Sequence, residues 1–78
     1  MKAILAWHEI GARLVFERKM LGIDQVDLAK AVDISPSLLS KYEKGTQVIS
    51  FENLVKICLL LYVDITEFIP KEGKSRFK

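Results

Sequence analysis

The chain has 78 residues, enough for one small domain, and half of them are hydrophobic, although the net charge is only +2. Its single cysteine and single histidine, Cys58 and His8, exclude an intramolecular disulfide and a zinc or haem site, so no metal or cofactor is expected. The longest apolar stretch, residues 57–63, is too short to span a bilayer, and the N-terminal apolar run lacks a signal-peptide cleavage site, which together predict a cytoplasmic protein without membrane contact.

The first predicted helix runs from near Trp7 to Leu21. Its apolar residues recur at three- and four-residue spacing, which is typical of a helix with one buried face. Gly22 follows where that pattern stops, as expected at a helix C-terminus. The inward face comprises Ile10, Leu14, Arg18 and Leu21.

The second predicted helix, residues 25–32, begins after Asp24. A short polar side chain at this position caps free backbone amides, and the carboxylate of Asp27 in the first turn suits the helix dipole. Asp33 and Ile34 then form a turn that is too short for anything except two helices crossing at a steep angle. The apolar face comprises Val26, Leu28, Ala29 and Val32.

The third predicted helix, residues 36–44, opens with Ser35 and Pro36. Serine caps the exposed amides, and proline at the first helical position loses no hydrogen bond because its missing N–H would be unpaired anyway. Gly45 is free to adopt positive φ and ends the helix. Leu38, Leu39 and Tyr42 are expected to face inward. Two short helices joined by a tight turn can place the second helix in the major groove of DNA.

The fourth predicted helix, residues 51–62, follows Ser50 as its N-cap, and Asp64 caps a last short helix over residues 65–69. Pro70 blocks any continuation of that helix. The five helices and the absence of an alternating strand pattern predict an all-α fold. In the fourth helix, the predicted inward stripe is Leu54, Cys58 and Leu61, and Phe51, Val55 and Ile57 are expected to share the core.

The charge is distributed unevenly along the chain. Residues 1–69 carry eight basic and nine acidic side chains, a sum of −1, whereas residues 70–78 carry four basic and one acidic side chain, a sum of +3. We therefore expect one domain over residues 1–69 and a flexible basic tail over residues 70–78. With a net charge of −1, this domain has a weak electrostatic footprint for a nucleic-acid binder.

The order and spacing of these landmarks resemble the phage repressor and Cro-like helix-turn-helix family, which includes controller proteins of restriction–modification systems. The resemblance spans roughly residues 10–69 and implies a compact five-helix, lambda-repressor-like DNA-binding domain. Each landmark is weak alone, but together they favour this fold strongly. They are Ile10-Gly11, Arg18, Gly22, Gln25, Leu28-Ala29, Ser35, Leu39-Ser40, Glu43, Gly45, Ser50, Leu54 and Leu61.

The resemblance also implies roles for individual side chains. Gln25 matches a glutamine that approaches a phosphate, and Arg18 and Glu43 match a largely buried salt bridge between the first and third helices. The positions that face the bases are Pro36, Ser37 and Lys41, with Ser40 nearby. Lys41 is the best single candidate for reading a guanine, although a phosphate contact or a merely solvated lysine remains open. Phosphate contacts are further expected from Lys44, Thr46 and Gln47.

Two groups of apolar residues exceed what so small a core needs. The first is expected to form a self-complementary dimer surface, with a broader core as the alternative. It comprises Leu59, Leu60, Tyr62, Ile65, Phe68 and Ile69. The second comprises Trp7, Val15, Phe16 and Met20. Trp7 and Phe16 either pack the N-terminal arm against the first helix or add to an interface with a partner protein or another dimer.

These features predict a transcriptional regulator, most simply a repressor, that binds double-stranded DNA as a homodimer on a palindromic operator. The alternative is a protein-interaction module, such as the antitoxin of a toxin–antitoxin pair or a domain that binds another regulator. Salt dependence discriminates between them, because only DNA binding weakens steeply as salt rises. Catalysis is not expected, since His8 lies near the terminus and no nucleophile–base arrangement is evident.

Overall fold

A computed structural model describes residues 7–68 of the chain, and the helices in this range follow the predicted order. They are α1 (Trp7–Met20), α2 (Gln25–Ala31), α3 (Pro36–Lys44), α4 (Phe51–Leu61) and a 3-10 helix (Ile65–Phe68). The predicted all-α fold is confirmed, with no strand among the described residues. The fifth element is a single 3-10 turn instead of an α-helix. Ile69 and the predicted tail over residues 70–78 lie outside the described residues, so the predicted domain boundary remains a prediction.

Local side-chain chemistry explains where α3 and α4 begin. The hydroxyl oxygen of Ser35 accepts a hydrogen bond from the Leu38 amide at 3.0 Å, and that of Ser50 accepts one from the Asn53 amide at 3.1 Å. Each bond satisfies an amide that has no partner within its helix. Asp24 occupies the N-cap position of α2, but its side chain makes no capping hydrogen bond.

Residues with left-handed backbone conformation end α3 and α4. Gly45 follows α3 with φ of 76°, as its predicted role requires, and Tyr62 follows α4 with φ of 60°. Non-glycine residues rarely adopt this conformation. Tyr62 therefore sits at a strained cap with its side chain 88% exposed.

All helices contribute to one hydrophobic core, whose centre consists of side chains shielded completely from solvent. The largest of them are Leu14 of α1, Leu28 of α2, Leu39 of α3 and Ile57 of α4. Phe68 of the 3-10 helix closes the core, and Ile49 anchors the loop between α3 and α4. The core therefore holds α3 on its inner face and leaves its outer face uncovered.

Three apolar residues that were predicted to face inward are exposed. Leu21 lies beyond the last residue of α1, and Val26 lies on the side of α2 away from Leu28. Phe51, the first residue of α4, is 75% exposed. These predictions were wrong because the spacing pattern was extended to helix ends, where the chain has not yet reached the core or has already left it.

A glycine in α1 lets that helix approach the backbone of α3. A Cβ atom at Gly11 would lie 2.5 Å from the carbonyl oxygen of Tyr42 and closer still to that of Glu43. At the end of α3, a Cβ atom at Gly45 would lie 2.5 Å from the Cα atom of His8. The start of α1 is thus seated directly on the C-terminal half of α3, which fixes how α3 is presented.

Candidate nucleic-acid interface

The outer face of α3 is polar, basic and accessible. Ser37, Lys41 and Lys44 are exposed on the side opposite the buried Leu39 and Tyr42. This separation follows from the helical period, which puts residues three, four and seven apart on one face. The face therefore offers hydroxyl and ammonium groups on a rigid helix, as contact with DNA requires.

The other two predicted base-facing residues lie at the edges of this face. Pro36 is exposed at the first position of α3, where it can offer only apolar contact because it lacks an N–H donor. Ser40 is half-buried. The structure thus brings all four predicted base-facing residues onto one helix, where Pro36, Ser37 and Lys41 are exposed and Ser40 is partly covered.

The lysines of α3 are not consumed by salt bridges within the described part of the chain. The ion pairs there are Arg13–Glu17, Arg13–Glu67 and Arg18–Glu43, and neither Lys41 nor Lys44 takes part in them. Both lysines lie in the last turn of α3, where the helix dipole favours positive charge. Their charges are therefore available to an external anion.

The loop after α3 is held by hydrogen bonds to the helix that it leaves. The Thr46 amide donates to the Lys41 carbonyl oxygen at 3.0 Å, and the Thr46 hydroxyl donates to the same oxygen at 3.4 Å. A phosphate contact through this hydroxyl therefore requires it to rotate away from a long, weak bond. Gln47 is exposed beside it, and the neighbouring Val48 is exposed as well.

A buried ion pair ties α1 to the end of α3, as the family resemblance implies. Arg18 donates from Nε to Glu43 Oε2 at 2.8 Å and from Nη2 to Glu43 Oε1 at 3.1 Å. A third bond runs from Arg18 Nη1 to the carbonyl oxygen of Ile23 at 2.8 Å. Because both charged groups are almost completely shielded, a variant that loses one partner should lose about 3–5 kcal/mol of stability.

Gln25 joins this ion pair at the start of α2. Its Nε2 atom donates a hydrogen bond to Glu43 Oε1 at 2.9 Å, and the side chain is half-buried. The residue predicted to approach a phosphate is thus linked to the end of α3. Sequence reasoning assigned Gln25 and Glu43 to separate roles and missed this contact, because no local pattern reveals a bond across 18 residues.

Three further polar contacts brace the scaffold, and the sequence analysis predicted none of them. Asn53 of α4 donates from Nδ2 to the hydroxyl oxygen of Tyr42 at 2.9 Å, which links α4 to the inner side of α3. Arg13 pairs with Glu17 at 2.7 Å within α1 and with Glu67 of the 3-10 helix, and these bonds raise the pKa of Arg13. The four-residue spacing of Arg13 and Glu17 was a readable signal, whereas the contact with Glu67 was not.

The predicted dimer surface is only partly exposed. Leu59 is 73% exposed, Leu60 is also exposed, and Tyr62 projects into solvent beside them. Phe68 is buried in the core of the protomer, which corrects its assignment to a dimer surface. Ile65 is half-buried against the core, and Ile69 lies outside the described residues.

An open groove of about 370 Å³ adjoins the exposed leucines of α4. Its walls come from the end of α2, the turn that follows and the outer side of α4. The groove is lined by Ala31, Val32, Asp33, Lys56, Leu59 and Leu60. The lining therefore combines apolar side chains with one acidic and one basic residue.

The second apolar group divides between core and surface. Trp7 packs against the core and Val15 is half-buried, as expected if the start of α1 simply packs on the domain. Phe16 and Met20 are exposed on the outer side of α1, four residues apart. Within this group, Phe16 and Met20 are therefore the residues whose exposed apolar surface could contact a partner.

The single thiol is inert in this setting. Cys58 is buried in α4, and its burial raises the pKa of the thiol to about 11. A protonated, shielded thiol is a poor nucleophile. Within residues 7–68, no group of three His, Cys, Asp or Glu side chains could hold a metal ion, and no helix there is long and apolar enough to cross a membrane.

Known proteins resemble both this sequence and this fold. The family profile described as helix-turn-helix matches residues 16–68, which include α2, α3 and the turn between them. An uncharacterised HTH-type transcriptional regulator of Sinorhizobium medicae is 34% identical over 67 residues. The match covers 82% of this chain and 48% of that regulator, so the chain spans about half the length of the curated relatives it matches.

Two solved structures illustrate the fold similarity. The clp gene regulator ClgR from Corynebacterium glutamicum aligns with a TM-score of 0.77 and 32% identity, over 81% of this chain and 67% of that chain. The P22 c2 repressor, solved in complex with a synthetic operator, aligns with a TM-score of 0.71 and 28% identity, over 82% of this chain and 94% of that chain. These alignments confirm the repressor-like fold predicted from the sequence.

Proposed function

The chain belongs to the helix-turn-helix family, and we propose that it is a DNA-binding transcriptional regulator that acts as a homodimer on a palindromic operator. The observation that carries this proposal is the outer face of α3, where accessible serine and lysine side chains stand on a helix held by the core. The operator-bound P22 c2 repressor, with the same fold, supports it.

In this proposal, α3 enters the major groove and reads base edges. Lys41 donates to the O6 and N7 atoms of a guanine, and Ser37 makes a less discriminating hydrogen bond. Pro36 contacts a thymine methyl group, and Ser40 lies at the edge of the surface that contacts the bases. One helix covers only a few base pairs, so specificity depends mainly on Lys41 and on the symmetric partner.

Phosphate contacts flank α3 on both sides. Gln25 at the start of α2 approaches the backbone on one side, and Lys44, Thr46 and Gln47 approach it on the other. Such contacts set the register and much of the affinity without carrying sequence information. The exposure of Lys44 and Gln47 and the absence of an ion pair at Lys44 within the described residues support these roles.

A dimer can place two recognition helices about 34 Å apart, on successive turns of DNA. In this proposal the dimer forms through α4, whose end carries exposed apolar side chains. Leu59, Leu60 and Tyr62 form the apolar centre of the interface, with Ile65 at its edge. The groove between α2 and α4 contributes the opposite charges of Asp33 and Lys56. A regulator of this kind acts in the cytoplasm and represses transcription by occupying its operator.

Operator selection from a random duplex library, followed by affinity measurements, tests the proposal. Lys41→Ala should weaken binding to the selected operator by about 1–3 kcal/mol and relax the preference at one base position. Lys19→Ala, which removes an exposed lysine of α1, is the matched control and should leave both properties unchanged. Failure to select any sequence, or equal weakening by both variants, would contradict readout by α3.

The exposed pair on α1 favours a second function beside DNA binding. Phe16 and Met20 offer apolar surface outside the proposed DNA and dimer contacts, as expected for binding a protein such as a toxin or another regulator. Binding of that kind depends little on salt, in contrast to DNA binding. Measuring the affinity of the protein–protein complex and of the DNA complex at increasing salt concentrations would distinguish the two functions.

A further inference from the structure

The amide of Gln25 is held by the buried ion pair that links α1 to α3. Glu43 Oε1 accepts hydrogen bonds from Gln25 Nε2 at 2.9 Å and from Arg18 Nη2 at 3.1 Å, while Oε2 accepts one from Arg18 Nε at 2.8 Å. The side chains of Arg18 and Glu43 are 10% and 6% exposed. The anchor of Gln25 is therefore a shielded carboxylate that has little freedom to move.

This carboxylate fixes which end of the amide faces inward. A carboxylate only accepts hydrogen bonds, so the amide nitrogen must point at Glu43, since the reverse orientation would set two oxygens against each other. The nitrogen carries two hydrogens, and one remains for a second acceptor. Bonds to an ionised acceptor are also stronger than neutral ones, which favours a single conformation of the side chain.

We propose that Glu43 is a positioning residue for DNA binding, which orders the Gln25 amide before a phosphate arrives. This inference rests on the proposed function, in which Gln25 contacts the backbone of DNA. A glutamine on a surface loses considerable rotamer freedom when it is fixed on a ligand, whereas an amide already fixed by Glu43 has lost it during folding. The ion pair then serves DNA affinity as well as stability.

The expected gain is modest and measurable. Immobilising one flexible side chain at an interface weakens binding by about 2- to 12-fold, so preordering should strengthen the Gln25 contact by a factor in this range. Because Gln25 is neutral, the gain should not change the salt dependence of binding. A purely structural ion pair would instead change stability without changing the contribution of Gln25.

Side-chain amide NMR on the native, DNA-free protein gives the first test. Gln25 and Gln47 are the two glutamines of the chain, and Gln47 is exposed with no hydrogen bond to Glu43. The Gln25 amide should show an order parameter close to the rigid-backbone value of about 0.85, whereas that of Gln47 should fall below about 0.6. Equal mobility of the two amides would overturn the proposal.

The second test compares Gln25→Ala in two backgrounds by its effect on the Kd for a mixed-sequence duplex of about two helical turns (~20 base pairs). One background is the native chain, and the other replaces the ion pair by apolar residues of similar size, Arg18→Met with Glu43→Leu. Such replacements often preserve or increase stability. Gln25→Ala should weaken binding more in the native background, by about 2- to 12-fold.

Each outcome has a distinct meaning. An equal effect of Gln25→Ala in both backgrounds would overturn positioning by Glu43 while leaving the phosphate contact intact. No effect in the native background would remove the phosphate contact of Gln25 and with it this inference, although the Lys41 experiment would still stand for the proposed function. If the apolar background fails to fold, the NMR comparison decides by itself.

Discussion

Gly11→Ala tests whether α1 and α3 are in backbone contact. The added methyl group would lie 2.5 Å from the Tyr42 carbonyl oxygen and closer to that of Glu43. Both obstacles are backbone atoms of α3, and the Tyr42 carbonyl also accepts the amide of Gly45 at 3.1 Å, so neither can turn aside as a flexible side chain would. Relief therefore requires the two helices to separate.

The net effect is the difference between two opposing terms. Overpacking costs about 1–3 kcal/mol, and backbone obstacles justify the upper end. Alanine is a better helix former than glycine by about 1 kcal/mol. The expected net loss is therefore about 2 kcal/mol, which is large beside the roughly 4–12 kcal/mol of total stability typical for 78 residues.

Urea denaturation followed by far-UV circular dichroism measures this loss. Two controls separate the contributions. Ala12→Gly, at an exposed position of α1, should report the propensity term alone, about 1 kcal/mol. Gly22→Ala has open space around the added atom but positive φ of 70°, so it should report backbone strain of about 1–2 kcal/mol. A Gly11→Ala protein as stable as the native one would refute the close approach.

Two further predictions concern association and pH. Leu59→Lys should convert the dimer to a monomer in sedimentation velocity, because it puts a charge at the apolar centre of the proposed interface, whereas Phe16→Lys, an equally drastic change on α1, should not. Burial raises the pKa of Cys58 to about 11 from its ordinary value of 9.0, so the unfolded chain releases this proton before the folded one. The stability that the protonated Cys58 thiol contributes to the folded state is intact below pH 9.0 and is lost as pH rises through about 11. The free energy of unfolding, measured by urea titration, should fall by roughly 2 kcal/mol over this range.

Both predictions have clear contradictions. An unchanged dimer with Leu59→Lys would contradict an interface through α4, and a monomer with Phe16→Lys would place the interface on α1 instead. For the thiol, Cys58→Ala should remove this part of the alkaline destabilisation. If the variant and the native chain lost stability in parallel between pH 9 and pH 11, the thiol would not be the group responsible.

The features predicted correctly from the sequence depend on short-range chemistry. Ser35 and Ser50 were recognisable as caps because a hydroxyl needs only the amide three residues ahead, and Gly45 because positive φ is a property of one residue. The central leucines followed from helical spacing. The family resemblance supplied the Arg18–Glu43 pair.

The features that were missed depend on which parts of the chain meet in space. Arg13 and Glu67 are 54 positions apart, and nothing near either one announces the other. Phe68 and Phe51 looked equally apolar, yet one closes the core and the other projects into solvent. Gly11 is required by the backbone of α3 beside it, a neighbour that no local pattern in the sequence reveals. Burial is a property of the assembled domain, so spacing alone could not assign it.

The salt dependence of duplex binding tests the central claim most directly. Affinity for a mixed-sequence duplex should fall linearly on a log–log plot, with a slope of about −0.9 for each phosphate neutralised. Lys44→Ala should make the slope shallower by about 0.9 for each protomer bound, whereas Lys19→Ala should leave it unchanged. Binding that ignores salt, or no binding to any duplex at low ionic strength, would contradict a DNA-binding role for the exposed face of α3.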